Sequence, residues 1–180
     1  LYNLGKTALI GFLATATGDV ELSESLDTVM TGAFAHSAIT GITLPEGVTT
    51  IGSRTFDACT ELTQVTLPSS ITTIDDYAFR GCTSLETINI PRGVEYIGEG
   101  AFEGCTSLRS VVFEAGSFLA EVGEGAFKNS GIVSFDVPEG LTALSDYMFE
   151  DCSALTAINF APEGNMLNFG EGFLRNCALQ

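Results

Sequence analysis

Tryptophan is absent from these 180 residues, histidine occurs once, and lysine and arginine together number only seven. Against 23 acidic residues this leaves a formal net charge of −16. Such a chain repels nucleic-acid phosphates and anionic membrane surfaces, whose binding depends on basic side chains. Basic or neutral partners stay open, as does the plainer reading that the charge keeps the chain soluble. No apolar run approaches the ~20 residues that span a bilayer. The single histidine, His36, would have to serve any Ser-His-Asp or Cys-His chemistry alone, and a structural or solvent-exposed role is expected for it. No Asn-x-Ser/Thr acceptor occurs. The closest cysteines are 23 residues apart, too far for the clustered ligands of a zinc site. These absences leave no catalytic set, no metal ligands and no cofactor, and the chain reads as non-enzymatic. Apolar residues, at 45%, supply ample material for a core.

What is present is a repeat. Phenylalanines fall at Phe34, Phe56, Phe79, Phe102, Phe127 and Phe149, with Leu174 in the same place afterwards, at steps of 22, 23, 23, 25, 22 and 25 residues. Cys59, Cys82, Cys105, Cys152 and Cys177 each stand three residues after an anchor, and Ser37 and Ser130 fill the two gaps. Pro45, Pro68, Pro91 and Pro138 share one position, and Pro162 comes one residue late. The period lies in the range of leucine-rich repeats. A unit such as Leu62, Val65, Leu67, Pro68, Ile71, Ile74, Phe79, Cys82 cannot bury its own apolar face. Stacking does so and makes the anchors and cysteines successive rungs of one spine.

Val65 and Leu67 have the two-residue spacing of a strand that buries alternate side chains. Their counterparts Val20/Leu22, Ile42/Leu44, Ile88/Ile90, Val111/Phe113, Phe135/Val137 and Ile158/Phe160 are expected to face inward, and Phe12 to sit in the anchor register. The glycine-rich segment after each second apolar pair suits one tight helical or 3₁₀ turn. Two-residue insertions near AGSFLAEV and EGNMLNF are expected to bulge outward without breaking register. The spacing thus predicts an α/β-type solenoid of about seven coils. Short parallel strands would line its concave face and short helical turns or loops its convex side. Residues 1–22 read as an N-terminal cap or degenerate repeat, residues 23–180 as one continuous array that runs on beyond NCALQ, and a leader is expected upstream.

Between the buried strand residues, outward side chains form a candidate binding strip: Thr63, Gln64 and Thr66; Glu86, Thr87 and Asn89; Arg109 and Ser110; Ser134 and Asp136; Thr156 and Asn159. Threonine also simply suits an exposed strand, so solvated sheet surface is the competing reading. Arg109 beside Glu86 is the best single candidate. The cysteines, pointing one way along a ladder, are poorly placed to form bridges. They are expected to act as small buried apolar fillers that resist alkylation. Asp76, Glu99, Glu124, Asp146 and Glu171 align into a stripe. It is either a weak calcium surface or a set of carboxylates each facing the positive start of its own short helical turn.

The combination P-x-x-[VI]-x-x-I-G-x-x-A-F-x-x-C-x-x-L, seen in PRGVEYIGEGAFEGCTSL and PSSITTIDDYAFRGCTSL, resembles the BspA-like subclass of leucine-rich repeats. The resemblance spans residues 20 to 180. It implies a right-handed leucine-rich repeat array in an exported cell-surface or secreted protein. Such a protein mediates adhesion or protein–protein interaction, with a host extracellular or cell-surface protein as partner and no membrane insertion by this segment. A structural stalk that spaces other domains is the alternative.

Overall fold

The computed structural model describes residues 4–9, 15–160 and 168–179. Among them the chain forms fifteen short strands, all paired in parallel, and no helix. Longer strands follow one another along a first ladder: β2 (Thr17–Glu21), β4 (Ala38–Thr43), β6 (Gln64–Thr66), β8 (Thr87–Ile90), β10 (Ser110–Phe113), β12 (Ser134–Asp136) and β14 (Ala157–Asn159), paired as three short sheets, β2–β4–β6, β8–β10 and β12–β14. Two-residue strands make a second: β1 (Ala8–Leu9), β3 (Thr28–Val29), β5 (Thr50–Ile51), β7 (Thr73–Ile74), β9 (Tyr96–Ile97), β11 (Glu121–Val122), β13 (Ala143–Leu144) and β15 (Asn168–Phe169). Each strand pairs with its equivalent one repeat away, as in Val111 opposite Ile88 and Ile97 opposite Ile74. The result is a parallel-strand solenoid of about seven coils.

Proline makes the corner between the ladders. Its missing N–H ends the first strand at little cost, and its carbonyl accepts the N–H three residues on: Pro45 from Val48, Pro68 from Ile71, Pro91 from Val94, Pro138 from Leu141. That turn delivers the next apolar pair to the second ladder. The two-residue insertion before β11 leaves register intact, with Val122 opposite Ile97 although the step is 25 residues. Its excursion is tied down by Arg92, whose Nε donates to Gly116 O and whose guanidinium lies 4.7 Å from the Phe118 ring centre. The second insertion, Pro162 and Phe12 fall outside the described residues.

The expected helical turn is replaced by a run of overlapping tight turns. In the coil of Phe79, the N–H groups of Ala78, Arg80 and Cys82 bond the carbonyls of Asp75, Tyr77 and Phe79. The alternating N–H groups of Tyr77, Phe79 and Gly81 instead donate to Glu99, Ala101 and Glu103 of the next coil, each at 2.8 Å. A helix would aim every N–H along its own axis. Here half aim across to the neighbour, because Tyr77 and Gly81 take φ of 58° and 70°. The same pair of left-handed positions recurs as Arg54/Ala58, Gly100/Gly104, Gly125/Asn129 and Tyr147/Asp151. The turns therefore form a third inter-coil ladder.

Inside lie Phe34, Phe56, Phe79, Phe102, Phe127 and Phe149, all fully buried, with neighbouring ring centres 5.1–5.7 Å apart. Ring planes along this stack depart from parallel by no more than 14°. Leu174 takes the equivalent place after Phe149 and is half-buried. Of the strand pairs expected to face inward, Ile88 and Ile90 are buried, as are Ile42 and Leu44. Val20, Leu22, Val65, Leu67, Phe113, Val137 and Ile158 are only partly buried. Phe160 corrects the sequence reading, being 51% exposed. It follows β14, which among the described residues is paired on one side only, with β12.

Candidate functional site

The first ladder presents the strip. Thr63, Gln64, Thr66, Glu86, Thr87, Asn89, Arg109, Ser110, Ser134, Asp136, Thr156 and Asn159 are all exposed. Register carries them into rows: Thr87 stands opposite Ser110, and Asp136 opposite Asn159. Several bond along the stack rather than outward. Thr63 Oγ1 donates to Thr40 O at 3.0 Å, Thr156 Oγ1 to Val133 O at 3.2 Å, and Asn159 Nδ2 to Asp136 Oδ1 at 2.7 Å. Arg109 donates its backbone N–H to Glu86 O at 2.9 Å, but no ion pair joins the two side chains. Arg54, Arg80, Lys128 and Arg175 belong instead to the turn ladder. There Arg80 grips Asp57 through two bonds of 2.9 and 2.8 Å, and Glu150 pairs with Lys128 and Arg175. Arg109 is the strip's one cation.

Sequence reasoning missed two parts of this face. At its start, Asp19 lies over Gly41 and accepts from Thr40 Oγ1 at 2.8 Å. A Cβ on Gly41 would come within 2.7 Å of that carboxylate, so the glycine is covered rather than displayed. A groove of about 460 Å³ follows, lined by Asp19, Glu21, Glu24 and Gln64 among others. At the other end, a groove of about 420 Å³ runs past Val112, Phe113, Asp136 and Phe160. The inward/outward alternation assigns both phenylalanines to the interior.

The cysteines do more than fill space. Each thiol donates to the carbonyl of the phenylalanine one coil back: Cys59 to Phe34, Cys82 to Phe56, Cys105 to Phe79, Cys152 to Phe127 and Cys177 to Phe149, at 2.9–3.2 Å. Ser37 and Ser130 meet the thiols of Cys59 and Cys152 at 3.5 and 3.3 Å. Burial pushes every one of these thiols up, Cys105 to about 12 and Cys177 to about 11. Cys177 is only half-buried, which corrects the expectation that all five are buried fillers.

The acidic series is also reassigned. Its carboxylates do not face a helix start of their own coil. Asp76 Oδ1 accepts the N–H of Glu99 in the next coil at 2.9 Å, and Asp146 Oδ1 that of Glu171 at 2.6 Å. Tyr77 donates its hydroxyl to Glu99. No metal-binding cluster of His, Cys, Asp or Glu occurs among the described residues. His36 sits at a left-handed turn position, φ 61°, and gives its N–H to Asp57 O.

Parallel coils of this length, with a strand, a proline corner and an anchored turn, define a leucine-rich repeat solenoid. The chain belongs to the BspA type of leucine-rich repeat region, whose sequence profile matches residues 11–117 and 72–180 in six copies. That family is associated with surface proteins and protein interaction, and its solenoids are generally non-enzymatic. Among solved structures, the T. pallidum leucine-rich repeat protein TpLRR is 32% identical, with a TM-score of 0.77, over 88% of this chain and 75% of that one. A leucine-rich repeat protein from Eubacterium ventriosum (23% identity, TM-score 0.60) matches 99% of this chain but 48% of its own. The pneumococcal vaccine antigen PcpA (16%, TM-score 0.59) matches 97% of this chain and 42% of its own. The last two share the fold alone. No curated protein matches the sequence. Among the described residues no helix is long and apolar enough to cross a membrane.

Proposed function

We propose that this chain is a non-enzymatic recognition module whose first strand ladder binds a protein partner outside the cell or at its surface, in the manner of an adhesin. The observation that supports this is the strip itself: twelve exposed side chains, from Thr63 to Asn159, carried on successive strands of the first ladder and in register within its β8–β10 and β12–β14 pairs. In this reading residues 1–22 open or cap the array. Export and surface display are part of this reading, supported by the family's association with surface proteins. Immobilised chain, challenged with purified host extracellular proteins by surface plasmon resonance, tests the reading. Binding should be lost in an Asn89→Arg, Ser134→Arg double variant whose melting temperature is unchanged. Equal binding by that variant would sink it.

A stalk that spaces other domains is the second reading. The inward satisfaction of Thr63, Thr156 and Asn159 favours it, because polar groups already bonded within the face have less to offer a partner. It is supported if no strip variant changes any binding.

A further inference from the structure

The groove at β10–β14 joins two properties found together nowhere else on the strip. Val112 is 47% exposed and Phe160 51%, with the half-buried Phe113 beside them. Its lining also holds Glu114, Asp136 and Glu139, with one cation at its edge, Arg92, which donates its Nε–H to Gly116 O and its backbone N–H to Glu114. Large apolar groups left in water beside a concave surface favour an anchor side chain from a partner. The carboxylate rim selects the charge of what flanks that anchor. The groove at the opposite end repeats the sign, with Asp19, Glu21 and Glu24 and no basic residue. Between them the strip contributes Glu86 and its one cation, Arg109.

We infer that the partner of the strand face is a basic, extended polypeptide segment: an aromatic or aliphatic side chain seats against Val112 and Phe160, and flanking lysines or arginines face the carboxylates. This rests on the reading of the strand face as a recognition surface and names the class of partner. A second copy of this chain is a poor occupant of the same groove, because at −16 each copy repels the other. A nucleic acid or anionic lipid surface would be repelled by the same carboxylates.

The test uses the intact chain and three short fluorescein-labelled peptides read by anisotropy. One carries lysines around a central Phe-Leu, one replaces the lysines with glutamate, and one keeps the lysines but replaces Phe-Leu with Gly-Gly. The first should bind saturably, and its binding should weaken as salt is raised. The other two should bind at least about tenfold more weakly. A Val112→Ser, Phe160→Ser variant should lose about tenfold for the first peptide. A Glu114→Gln, Asp136→Asn variant should lose affinity and flatten the salt dependence. Both variants alter exposed or rim side chains, and an unchanged melting temperature verifies that they fold. Failure of the lysine peptide to saturate, or its indifference to both variants, overturns the inference. So does concentration-dependent self-association that the Phe160→Ser change abolishes. If the glutamate peptide binds and Arg109→Glu abolishes that binding, the partner class is wrong while the strand face still stands as the recognition surface. If no binding of any peptide responds to any strip substitution, both fall together.

Discussion

Phe102 lies between the rings of Phe79 and Phe127, with centres 5.2 and 5.3 Å away and planes within 3° of parallel. Removing its ring leaves a void that two neighbouring coils share and that backbone ladders on all sides keep from collapsing. Phe102→Ala should therefore cost about 3–5 kcal/mol, read as a lowered urea midpoint. The thiols carry a second residue-scale expectation. Unfolded, they ionise near their ordinary value of 9.0, whereas folded Cys105 keeps its proton to about 12 because burial disfavours the thiolate. A raised native pKa means that stability is complete below the unfolded value and is lost as pH climbs toward the folded one. The melting temperature should fall between pH 9 and about 12; Tyr96 and Tyr147, also raised, act in the same direction. A flat profile across that window would contradict the buried thiol ladder. At neutral pH, iodoacetamide should modify Cys177 first and the other four only on denaturation, as mass spectrometry of labelled peptides would show. The recurrence of Phe-x-x-Cys was legible in the sequence. The thiol's acceptor was not, since Cys105 and Phe79 are 26 residues apart and meet only across coils.

At the scale of elements, the first strand of each coil was legible from its alternation and its proline. The second, two-residue ladder was not, because a strand so short has no period to display. Its demand for close approach still shows in the glycine that follows it. Gly123 N–H donates to Ile97 O at 2.7 Å, and a Cβ there would lie 2.4 Å from Glu99 N and 2.6 Å from Gly98 C. Those are backbone atoms of the neighbouring coil, which cannot swing aside as a side chain would. Gly123→Ala should cost about 1–3 kcal/mol through overpacking, measured by chemical denaturation; a neutral result would mean the coils have slack to separate. The length and glycine content of the turn suit a single helical or 3₁₀ turn or a loop. What decided otherwise is the left-handed backbone at Tyr77, Tyr147, Asp151 and their equivalents, several of them residues whose type does not announce φ above zero.

For the whole molecule, contacts run between adjacent coils, so stability is close to a sum over coils and their interfaces. The repeat supplies a clean test, because Cys-Thr-Ser-Leu occurs identically at 82–85 and 105–108. Excising residues 83–105 removes one full period of 23 residues and rejoins the same motif. That shortened chain should keep its β-type circular dichroism and unfold cooperatively at a somewhat lower midpoint. Excising only residues 83–94 should unfold it, since every later anchor would then arrive on the wrong side of the coil. Equal tolerance of both deletions would refute a single stacked interior. The two grooves also belong to this scale: acidic rims at both ends of one face emerge from six coils together, and no single repeat carries them.

The sequence by itself determined the coil, its period and most of the interior, because those depend on a local pattern written out repeatedly and on the requirement that apolar faces be covered. The tertiary structure alone decided the directions that pattern leaves open. How each coil closes sets whether an N–H reaches its own turn or the next one, and which carbonyl a thiol meets. It also sets whether the last aromatic of a strand points into the stack or, as at Phe160, out to solvent. Those outcomes rest on contacts between residues 20 or more positions apart, whose mutual orientation no repeat unit contains.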